Sequence, residues 1–189
     1  QIFHARCEEL GVKLYFESEV EDESQFPDAD LILAADGINS FIRSKYEDHF
    51  KPEIQWGTAK FTWLGTTKPL EAFTFLFKEN EHGLHQVHAY PFQRGDETLS
   101  TWIVECDEEV WRKAGFEGAS EEETVAYYEK LFADDLDGHP LLTNRSLWRT
   151  FPRVRCKEWS RNNVVLVGDA VHTAHFSIGS GTKLAMEDA

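Results

Sequence analysis

The sequence predicts a mixed α/β (α+β) protein in which both ends of the chain contribute to one sheet, around an inserted antiparallel sheet. Two unbroken apolar runs, at residues 31–35 and 164–167, are typical of strands covered on both faces, as in a parallel sheet. Between them, aromatic and β-branched runs at 72–77, 84–92 and 98–105 are separated by turn residues, which indicates antiparallel hairpins. This change of pattern predicts two structural units.

The N-terminal residues predict a helix followed by a strand. Phe3, Cys7 and Leu10 recur at helical spacing, and Gly11 stands where a helix-ending glycine is expected. Residues 12–16 alternate apolar and polar side chains, which is typical of a half-buried strand. Gln1 falls inside the helical pattern with no capping residue before it, so we expect this end of the element to be cut.

The middle of the chain carries clear turn and helix signals. The segments EHG at 81–83 and QRGD at 93–96 predict the turns of two hairpins. Ser120 and Glu123 have the spacing of a capping box, and the apolar residues that follow, up to Phe132, predict an amphipathic helix. Residues 138–140 end that helix, and an extended stretch at 146–159 leads to the second buried run.

Composition excludes several classes of function. A formal charge of −15 argues against nucleic acid as a partner, because phosphate would be repelled. No apolar run approaches the roughly 20 residues of a membrane span, so we expect no membrane association. The three cysteines lie far apart, without metal-ligand spacing, which predicts reduced thiols, no metal site and a cytoplasmic location.

One basic concentration lies between residues 145 and 161, and it has two interpretations. It is either a solvated surface that balances acidic neighbours or a site for a phosphorylated ligand such as a nucleotide. Its members are Arg145, Arg149, Arg153, Arg155, Lys157 and Arg161.

Aspartate–glycine pairs follow both buried runs. Asp36-Gly37 follows the first run and Gly168-Asp169 follows the second. Ligands of open α/β sheets bind beyond the carboxyl ends of strands, where an aspartate can accept hydrogen bonds from ribose hydroxyls. Further on, residues 179–181 (GSG) precede an incipient helix, whose free amides suit an anion. A tight strand-to-helix turn is the plain alternative for the second pair.

The two pairs belong to longer motifs with a family resemblance. DGINSFIR at 36–43 resembles the DG motif (DGxxSxxR) of the single-component flavin monooxygenases, the family of para-hydroxybenzoate hydroxylase. GDAVH at 168–172 resembles the GD motif of that family, and EDA at 187–189 matches the acidic-Asp-Ala that follows it on a helix. The resemblance covers the whole chain, including the antiparallel sheet between the motifs.

The resemblance implies a FAD-dependent enzyme that uses NADH or NADPH and O₂ and hydroxylates a small aromatic substrate through a flavin hydroperoxide. The DG pair would lie near the flavin pyrophosphate and the nicotinamide path, and Asp169 would bind ribityl or ribose hydroxyls. Amides at 179–182 would face the isoalloxazine and pyrophosphate, and the middle sheet would roof the substrate. The implied cofactor-binding residues are Asp36, Gly37, Arg43, Gly168, Asp169, Gly179, Ser180, Gly181 and Thr182.

The loop after the GD motif departs from the usual family pattern. His175-Phe176 stands where the family has two prolines, and Lys183 replaces an asparagine. This form resembles the subgroup that hydroxylates aryl-CoA thioesters (salicylyl-CoA 5-hydroxylase and anthraniloyl-CoA monooxygenase). A similar loop occurs in the tryptophan-derived hydroxylase of violacein synthesis, so an indole-type substrate is the alternative.

The resemblance also predicts the domain organisation. Residues 1–50 and 159–189 would belong to a FAD-binding Rossmann-like domain, and residues 51–158 to an antiparallel substrate-binding domain. The family's GxGxxG loop is absent from this sequence, and we expect it to precede Gln1 in a longer enzyme. We therefore expect this chain to be an internal fragment that is inactive alone.

Four residues are candidates for work on the substrate. His175, beside the glycine turn, is the candidate catalytic residue, because an imidazole can polarise a ring hydroxyl or amine. His88 and Tyr90 share one face of a predicted strand and, with Phe176, are candidates for the substrate pocket. Ordinary roles in a loop or on a sheet surface are the alternatives for these residues.

Two other classes of function are alternatives to this interpretation. A non-catalytic antiparallel-sheet binding module would fit the middle of the chain but would not need both Asp/Gly motifs. A flavin halogenase is the second enzymatic alternative, but the Trp-x-Trp-x-Ile-Pro signature expected of it is nowhere in this sequence.

Overall fold

The computed structural model describes residues 2–189 and confirms the mixed α/β prediction. Within this range the strands are β1 Ile32–Ala34, β2 Pro52–Trp56, β3 Lys60–Thr66, β4 Thr74–Asn80, β5 Gly83–Arg94, β6 Glu97–Cys106, β7 Leu141–Leu142, β8 Pro152–Cys156, β9 Ser160–Arg161 and β10 Val164–Leu166. The helices are α1 Ile2–Glu9, α2 Phe41–Lys45, α3 Glu47–Phe50, α4 Glu108–Lys113, α5 Glu121–Leu131, α6 Ala133–Leu136 and α7 Gly181–Asp188, with 3₁₀-helices at Glu23–Gln25, Gly168–Ala170 and Phe176–Ile178.

The two ends of the chain meet in one sheet, as predicted. β1 pairs in parallel with β10, with Ile32 opposite Val164 and Ala34 opposite Leu166, and β9 continues this sheet antiparallel to β10. The second apolar run supplies its buried residues, since Val164 and Leu166 are almost fully buried. A small core forms around them, including Phe50 and Val171. Strands remote in the chain thus share one edge.

The middle of the chain forms a five-stranded sheet in the order β4-β5-β6-β3-β7. All its pairings are antiparallel, and the two predicted hairpin turns connect β4 to β5 and β5 to β6. One face packs under α5, whose predicted capping box at Ser120 and Glu123 is present. The principal core residues of this face are Leu64, Val87, Trp102, Val104, Tyr128 and Phe132.

A two-stranded antiparallel ribbon is formed by the two strands that connect the sheets along the chain. β2 pairs antiparallel with β8, with Ile54 opposite Val154. Thr173 connects this ribbon to the segment after β10, because its hydroxyl accepts a hydrogen bond from the Val154 amide at 2.9 Å. Among residues 2–189, no helix has the length and apolar character needed to cross a membrane.

Two predictions for the N-terminal part of the chain are wrong. α1 and its terminating Gly11 form as predicted, but residues 12–16 make no strand, because no neighbouring strand among the described residues pairs with them. The first buried run is not covered on both faces either, since Leu31 is 57% and Leu33 51% exposed. Only Ala34 of β1 is buried.

Candidate functional site

The two Asp/Gly turns leave the same edge of the parallel sheet. Because β1 and β10 run in the same direction with matched ends, their carboxyl ends lie side by side. The Val167 amide donates to the Ala34 carbonyl at 3.1 Å, which extends the pairing to the start of both turns. Asp36 and Asp169 follow within two residues of this bond, and both are exposed. The two Asp/Gly turns therefore converge at one edge of the parallel sheet.

Arg43 ties one turn to the other. Its buried guanidinium donates from Nη1 to the Ala170 carbonyl at 2.9 Å and from Nη2 to the Ile38 carbonyl at 2.5 Å. One carbonyl belongs to the GD segment and the other to the DG segment. Charge-assisted bonds of this kind are stronger than those between neutral groups. Arg43 thus holds the relative position of the two motifs.

Asp36 caps α2 and does not pair with the Arg43 side chain. The Asp36 carboxylate instead accepts a hydrogen bond from the Ile42 amide at 3.1 Å, and Ser40 caps the Arg43 amide at 3.0 Å. The first amides of α2 have no acceptor within the helix, so they compete successfully for these side chains. The guanidinium is left to the two backbone carbonyls.

The GD turn is packed against α7. Gly168 has φ of +61°, and a Cβ at this position would lie 3.1 Å from the Cβ of Ala185, so the helix itself is the group that approaches the glycine. Asp188 of α7 accepts from the Gly168 amide at 2.8 Å and pairs with His172 Nε2 at 2.9 Å. The EDA pattern at the end of the chain is the sequence signal for this link.

The glycine turn before α7 leads into a helix start whose amides have no acceptor within the helix, although the Gly179 amide itself donates to the Phe176 carbonyl at 3.0 Å. Gly179 ends the 3₁₀-helix Phe176–Ile178 with φ of +68°, and Ser180 precedes the first turn of α7, which contains Gly181 and Thr182. Amides in a first helical turn have no acceptor within the helix. Nothing lies within 4 Å of a Cβ placed at Gly37, Gly179 or Gly181. Exposed carboxylates beside free amides and open glycines suit a ligand with hydroxyls and phosphates, which FAD has.

The second face of the five-stranded sheet is aromatic. His88 lies opposite Ile103 and Phe75, and Tyr90 lies opposite Thr101, so the register places His88 and Tyr90 on this face together. We define the aromatic face by the side chains that share this orientation or stack on it: Phe61, Trp63, Phe73, Phe75, Phe77 and Tyr90. Trp63, Phe73, Phe75 and Phe77 are exposed.

A groove continues the aromatic face toward β7. Its volume is about 750 Å³, and its lining includes Trp63, Tyr90 and Arg94. Phe73 stacks on Tyr90, with ring centroids 5.3 Å apart and planes at 16°. Flat aromatic surfaces of this kind suit a planar apolar ligand.

The loop at residues 171–180 connects the sheet edge at which the two Asp/Gly turns converge to the aromatic face. The Phe176 ring lies 4.7 Å from Phe61 and 5.9 Å from His88, and it packs on Phe151 as well. His175 lies beside it, with ring centroids 4.4 Å apart. The structure therefore brings His175 and Phe176 together with His88, whereas Tyr90 lies farther along the face.

Glu105 is a site residue that the sequence analysis missed. Its carboxylate lies 3.4 Å from His88 Nε2 and 3.5 Å from His175 Nε2, and its side chain is only 8% exposed. Burial lowers the pKa of His88, although Glu105 partly opposes this shift. The available signal was an acidic residue inside a run of otherwise buried strand residues, at 99–106.

Charged clusters elsewhere do not form a metal site. No group of three or more His, Cys, Asp or Glu side chains in the described range is arranged to hold a metal ion. The basic concentration is spread along β8 and its flanks, and a polar groove of about 890 Å³ contains Arg153, Arg155 and Lys157 beside Trp159.

Known proteins resemble this chain along nearly its whole length. The family described as FAD binding domain matches residues 5–189. Salicyloyl-CoA 5-hydroxylase of Streptomyces sp is 42% identical over all of this chain and 37% of its own length. The 3-hydroxy-4-methyl-anthranilyl-[aryl-carrier protein] 5-monooxygenase of Streptosporangium sibiricum is 39% identical, over all of this chain and 48% of its own length. Protodeoxyviolaceinate monooxygenase of Chromobacterium violaceum is 32% identical over 96% of this chain and 48% of its own length.

Solved structures agree on the fold. The tetrameric form of 2-methyl-3-hydroxypyridine-5-carboxylic acid oxygenase aligns with a TM-score of 0.60 at 19% identity, over 84% of this chain and 42% of that one. This chain spans less than half the length of each of the three relatives named above. The two converging Asp/Gly turns, the match over residues 5–189 and these relatives together show that the chain belongs to the FAD binding domain family.

Proposed function

We propose that the full-length gene product is a FAD-dependent, NAD(P)H-using monooxygenase that hydroxylates an aromatic substrate carried as a thioester. One observation carries this proposal: a single short loop, residues 171–180, joins the edge where the Asp/Gly turns converge to the aromatic face. A cofactor on that edge and a planar substrate on that face would be neighbours.

Several residues of this chain are suited to hold FAD. The Asp169 carboxylate can accept hydrogen bonds from ribityl or ribose hydroxyls, and the amides of Ser180, Gly181 and Thr182 can donate to anionic or carbonyl oxygens. The Gly179 amide already donates to the Phe176 carbonyl, so Gly179 would contribute by leaving space for the cofactor. Asp36 and Gly37 lie on the adjoining turn, and Arg43, with Gly168, keeps the turns in register. When bound, FAD supplies the electron transfer from NADH or NADPH and the activation of O₂.

The protein's own contribution is orientation and the exclusion of water. Phe75 and Phe176 pack against His88, and Phe61 packs on Phe176, so a substrate ring on this surface would lose its contact with water. His175 is 36% exposed at the junction of the loop and the face, where its imidazole can exchange a proton with a ring hydroxyl or amine.

The thioester is proposed from the relatives' names. One is named for a CoA thioester and another for a substrate on an aryl-carrier protein. Both carriers present an acyl group on a phosphopantetheine arm, and the exposed groove beside Trp63 and Arg94 offers space for such an arm. An indole-derived substrate is the second candidate, because a 32% identical relative is a protodeoxyviolaceinate monooxygenase.

The proposed domain organisation follows the sheets. Residues 1–50 and 159–189 would form part of the FAD-binding domain, since β1 and β10 pair, and residues 51–158 would form the substrate-binding domain. We also propose a cytoplasmic enzyme. Its three free cysteines suit a reducing compartment.

The test uses the purified full-length product. We expect a yellow flavin absorbance band, and NADH or NADPH oxidation that accelerates with hydroxyaryl-CoA thioesters and yields a product enlarged by one oxygen atom. Faster oxidation with free aromatic acids alone would remove the thioester, and faster oxidation with indoles would favour the second candidate. A colourless protein that takes up no FAD would favour a non-catalytic binding module.

A variant of Asp169 tests whether the Asp/Gly turns bind FAD. We expect Asp169→Ala to weaken FAD binding about 10- to 100-fold, the range expected for loss of hydrogen bonds to a charged group. Asp134→Ala is the matched control, because Asp134 is an exposed carboxylate on α6. Equal FAD affinity in both variants, measured by flavin fluorescence, would contradict the assignment of Asp169.

A further inference from the structure

Glu105 is a buried carboxylate without a lysine or arginine partner. It lies on β6 and faces one imidazole from β5 and another from the 171–180 loop. Among the described residues, the salt bridges of Glu105 involve only His88 and His175. Burying a charge is costly unless it is paired and hydrogen-bonded, so such a group contributes little to stability by itself.

The cluster extends to a hydroxyl at the surface. His175 Nδ1 lies 2.7 Å from Ser177 Oγ, while its Nε2 points toward Glu105. One continuous chain of polar side chains therefore leads from Ser177 through His175 and Glu105 to His88. It runs from the partly exposed loop to the buried strand β5.

The inner end of this chain is incompletely satisfied. Both nitrogens of His88 and the Oε2 atom of Glu105 are buried and have no hydrogen-bond partner among residues 2–189. The 3.4 Å between Nε2 and Oε2 is an ion-pair distance rather than a well-formed hydrogen bond. Catalytic hydrogen bonds are often long before substrate binds and shorten in the complex. Structural polar groups, by contrast, are normally satisfied in the folded protein.

The aromatic contacts of the two imidazoles are with phenylalanine rings. Phe75 of β4 packs edge-on against His88, Phe151 packs against His175, and Phe176 contacts both. None of these rings titrates. The polar contacts that the structure shows for the imidazoles are with the Glu105 carboxylate and with Ser177.

We infer that Glu105 is a positioning residue that makes His175 the proton acceptor for a ring hydroxyl of the substrate. The inference rests on the proposed function. An ionised Glu105 can accept from Nε2–H of both imidazoles at once, which fixes the tautomer that leaves Nδ1 of His175 as an acceptor.

The proton transfer is balanced within the cluster. The ring O–H bond breaks, and its proton passes to Ser177 Oγ as the Ser177 proton passes to His175 Nδ1. The bonding electron pair stays on the ring oxygen, which makes the ring richer in electrons. The imidazolium charge is then offset by the Glu105 carboxylate, and the proton returns along the same path when the product re-forms its hydroxyl. No oxidant or reductant takes part in this step.

The experiment compares Glu105→Gln and Glu105→Asp with a matched control in the full-length flavoprotein. Glu79→Gln makes the same chemical change at an exposed position on β4, two strands away from β6 in the same sheet. Glutamine has nearly the shape of glutamate, so folding is preserved, and the flavin spectrum checks this. The aspartate variant keeps the charge at a shorter reach and provides the rescue test.

The first readout needs no substrate. In selectively ¹⁵N-histidine-labelled protein, long-range NMR correlations should show the Nε2–H tautomer for His88 and His175. Glu105→Gln should shift both sets of signals, and Glu79→Gln should shift neither. Unchanged His88 and His175 signals in Glu105→Gln would overturn the inference, whatever the substrate of the enzyme is.

The second readout is the pH profile of hydroxylation of a hydroxyaryl substrate. At neutral pH we expect Glu105→Gln to lower kcat about 100-fold, the contribution typical of one positioned acid–base group, and Glu105→Asp to recover part of it. The Gln variant should regain activity as the pH approaches the ring hydroxyl's own pKa. A wild-type rate at neutral pH in Glu105→Gln would overturn the inference, whereas a wild-type enzyme that hydroxylates no aromatic compound would overturn the proposed function instead.

Discussion

Strand β5 carries two buried histidines, three residues apart, on opposite faces of the same sheet. His85 faces the core under α5, where Nδ1 lies 3.0 Å from the Tyr128 hydroxyl and Nε2 lies 3.4 Å from the Tyr127 hydroxyl. His88 faces the aromatic surface, where neither nitrogen has a hydrogen-bond partner among the described residues. Residue type and burial are almost the same at the two positions, since both are at most 5% exposed.

The difference between the two histidines separates a structural role from a functional one. A buried polar side chain with both nitrogens satisfied contributes to a unique core packing. One left unsatisfied, beside a buried carboxylate and at the rim of an exposed aromatic surface, costs stability and is more typical of a site. The same contrast extends to the faces themselves, because the core face is packed and the aromatic face is open.

The largest effect is expected on the free energy of unfolding, when a tryptophan on each face of the sheet is replaced by alanine. Trp102 is fully buried on the core face, whereas Trp63 is 46% exposed on the aromatic face. We expect Trp102→Ala to lower the free energy of unfolding by about 3–5 kcal/mol, because it leaves a cavity. Trp63→Ala should cost less than about 1 kcal/mol. Urea unfolding followed by circular dichroism measures both, and equal losses would remove the distinction between a packed and an open face.

Much of this fold could be predicted because the local signals and the tertiary structure agree. The runs that became β4, β5 and β6 combine alternation with turn residues at their ends, and those features fix hairpins locally. The two buried runs with Asp/Gly turns predicted a shared edge, because parallel strands place their carboxyl ends together.

The remaining features depend on partners that a sequence pattern does not specify. Residues 12–16 alternate as a strand does, yet a strand requires a hydrogen-bonded neighbour, and none pairs with them in the described part of the chain. The bonds of Arg43 depend on two carbonyls, one of which lies far along the chain. Glu105 was missed because its meaning comes from the register between β5 and β6 and from a loop contact.

A smaller effect is expected from removing the partner of the satisfied histidine. Tyr128→Phe deletes the hydroxyl that faces His85 Nδ1 while keeping the ring in the core. We expect a loss of about 1–3 kcal/mol in the free energy of unfolding, the cost of leaving a buried polar group without its partner. Tyr90→Phe makes the same change on the aromatic face and should stay within about 0.5 kcal/mol. If the two losses were equal, the Tyr128–His85 contact would not stabilise the core.

The smallest effect concerns protonation of the core histidine. Burial, with a smaller contribution from the nearby His82, lowers the pKa of His85 from 6.5 to about 4. As the pH falls below 6.5, the unfolded chain therefore binds a proton that the folded chain does not, and stability decreases until about pH 4. The lowered pKa of His88 acts in the same direction.

His85→Gln should reduce this pH dependence, because glutamine can still contact the Tyr128 hydroxyl but does not titrate. We expect the contribution of His85 between about pH 7 and pH 6 to be below about 1 kcal/mol, since one proton changes stability by at most about 1.4 kcal/mol per pH unit. The measurement is the free energy of unfolding at several pH values in both proteins. An identical slope in the variant would show that folding does not shift the pKa of His85, and the contrast with His88 would then lose its physical basis.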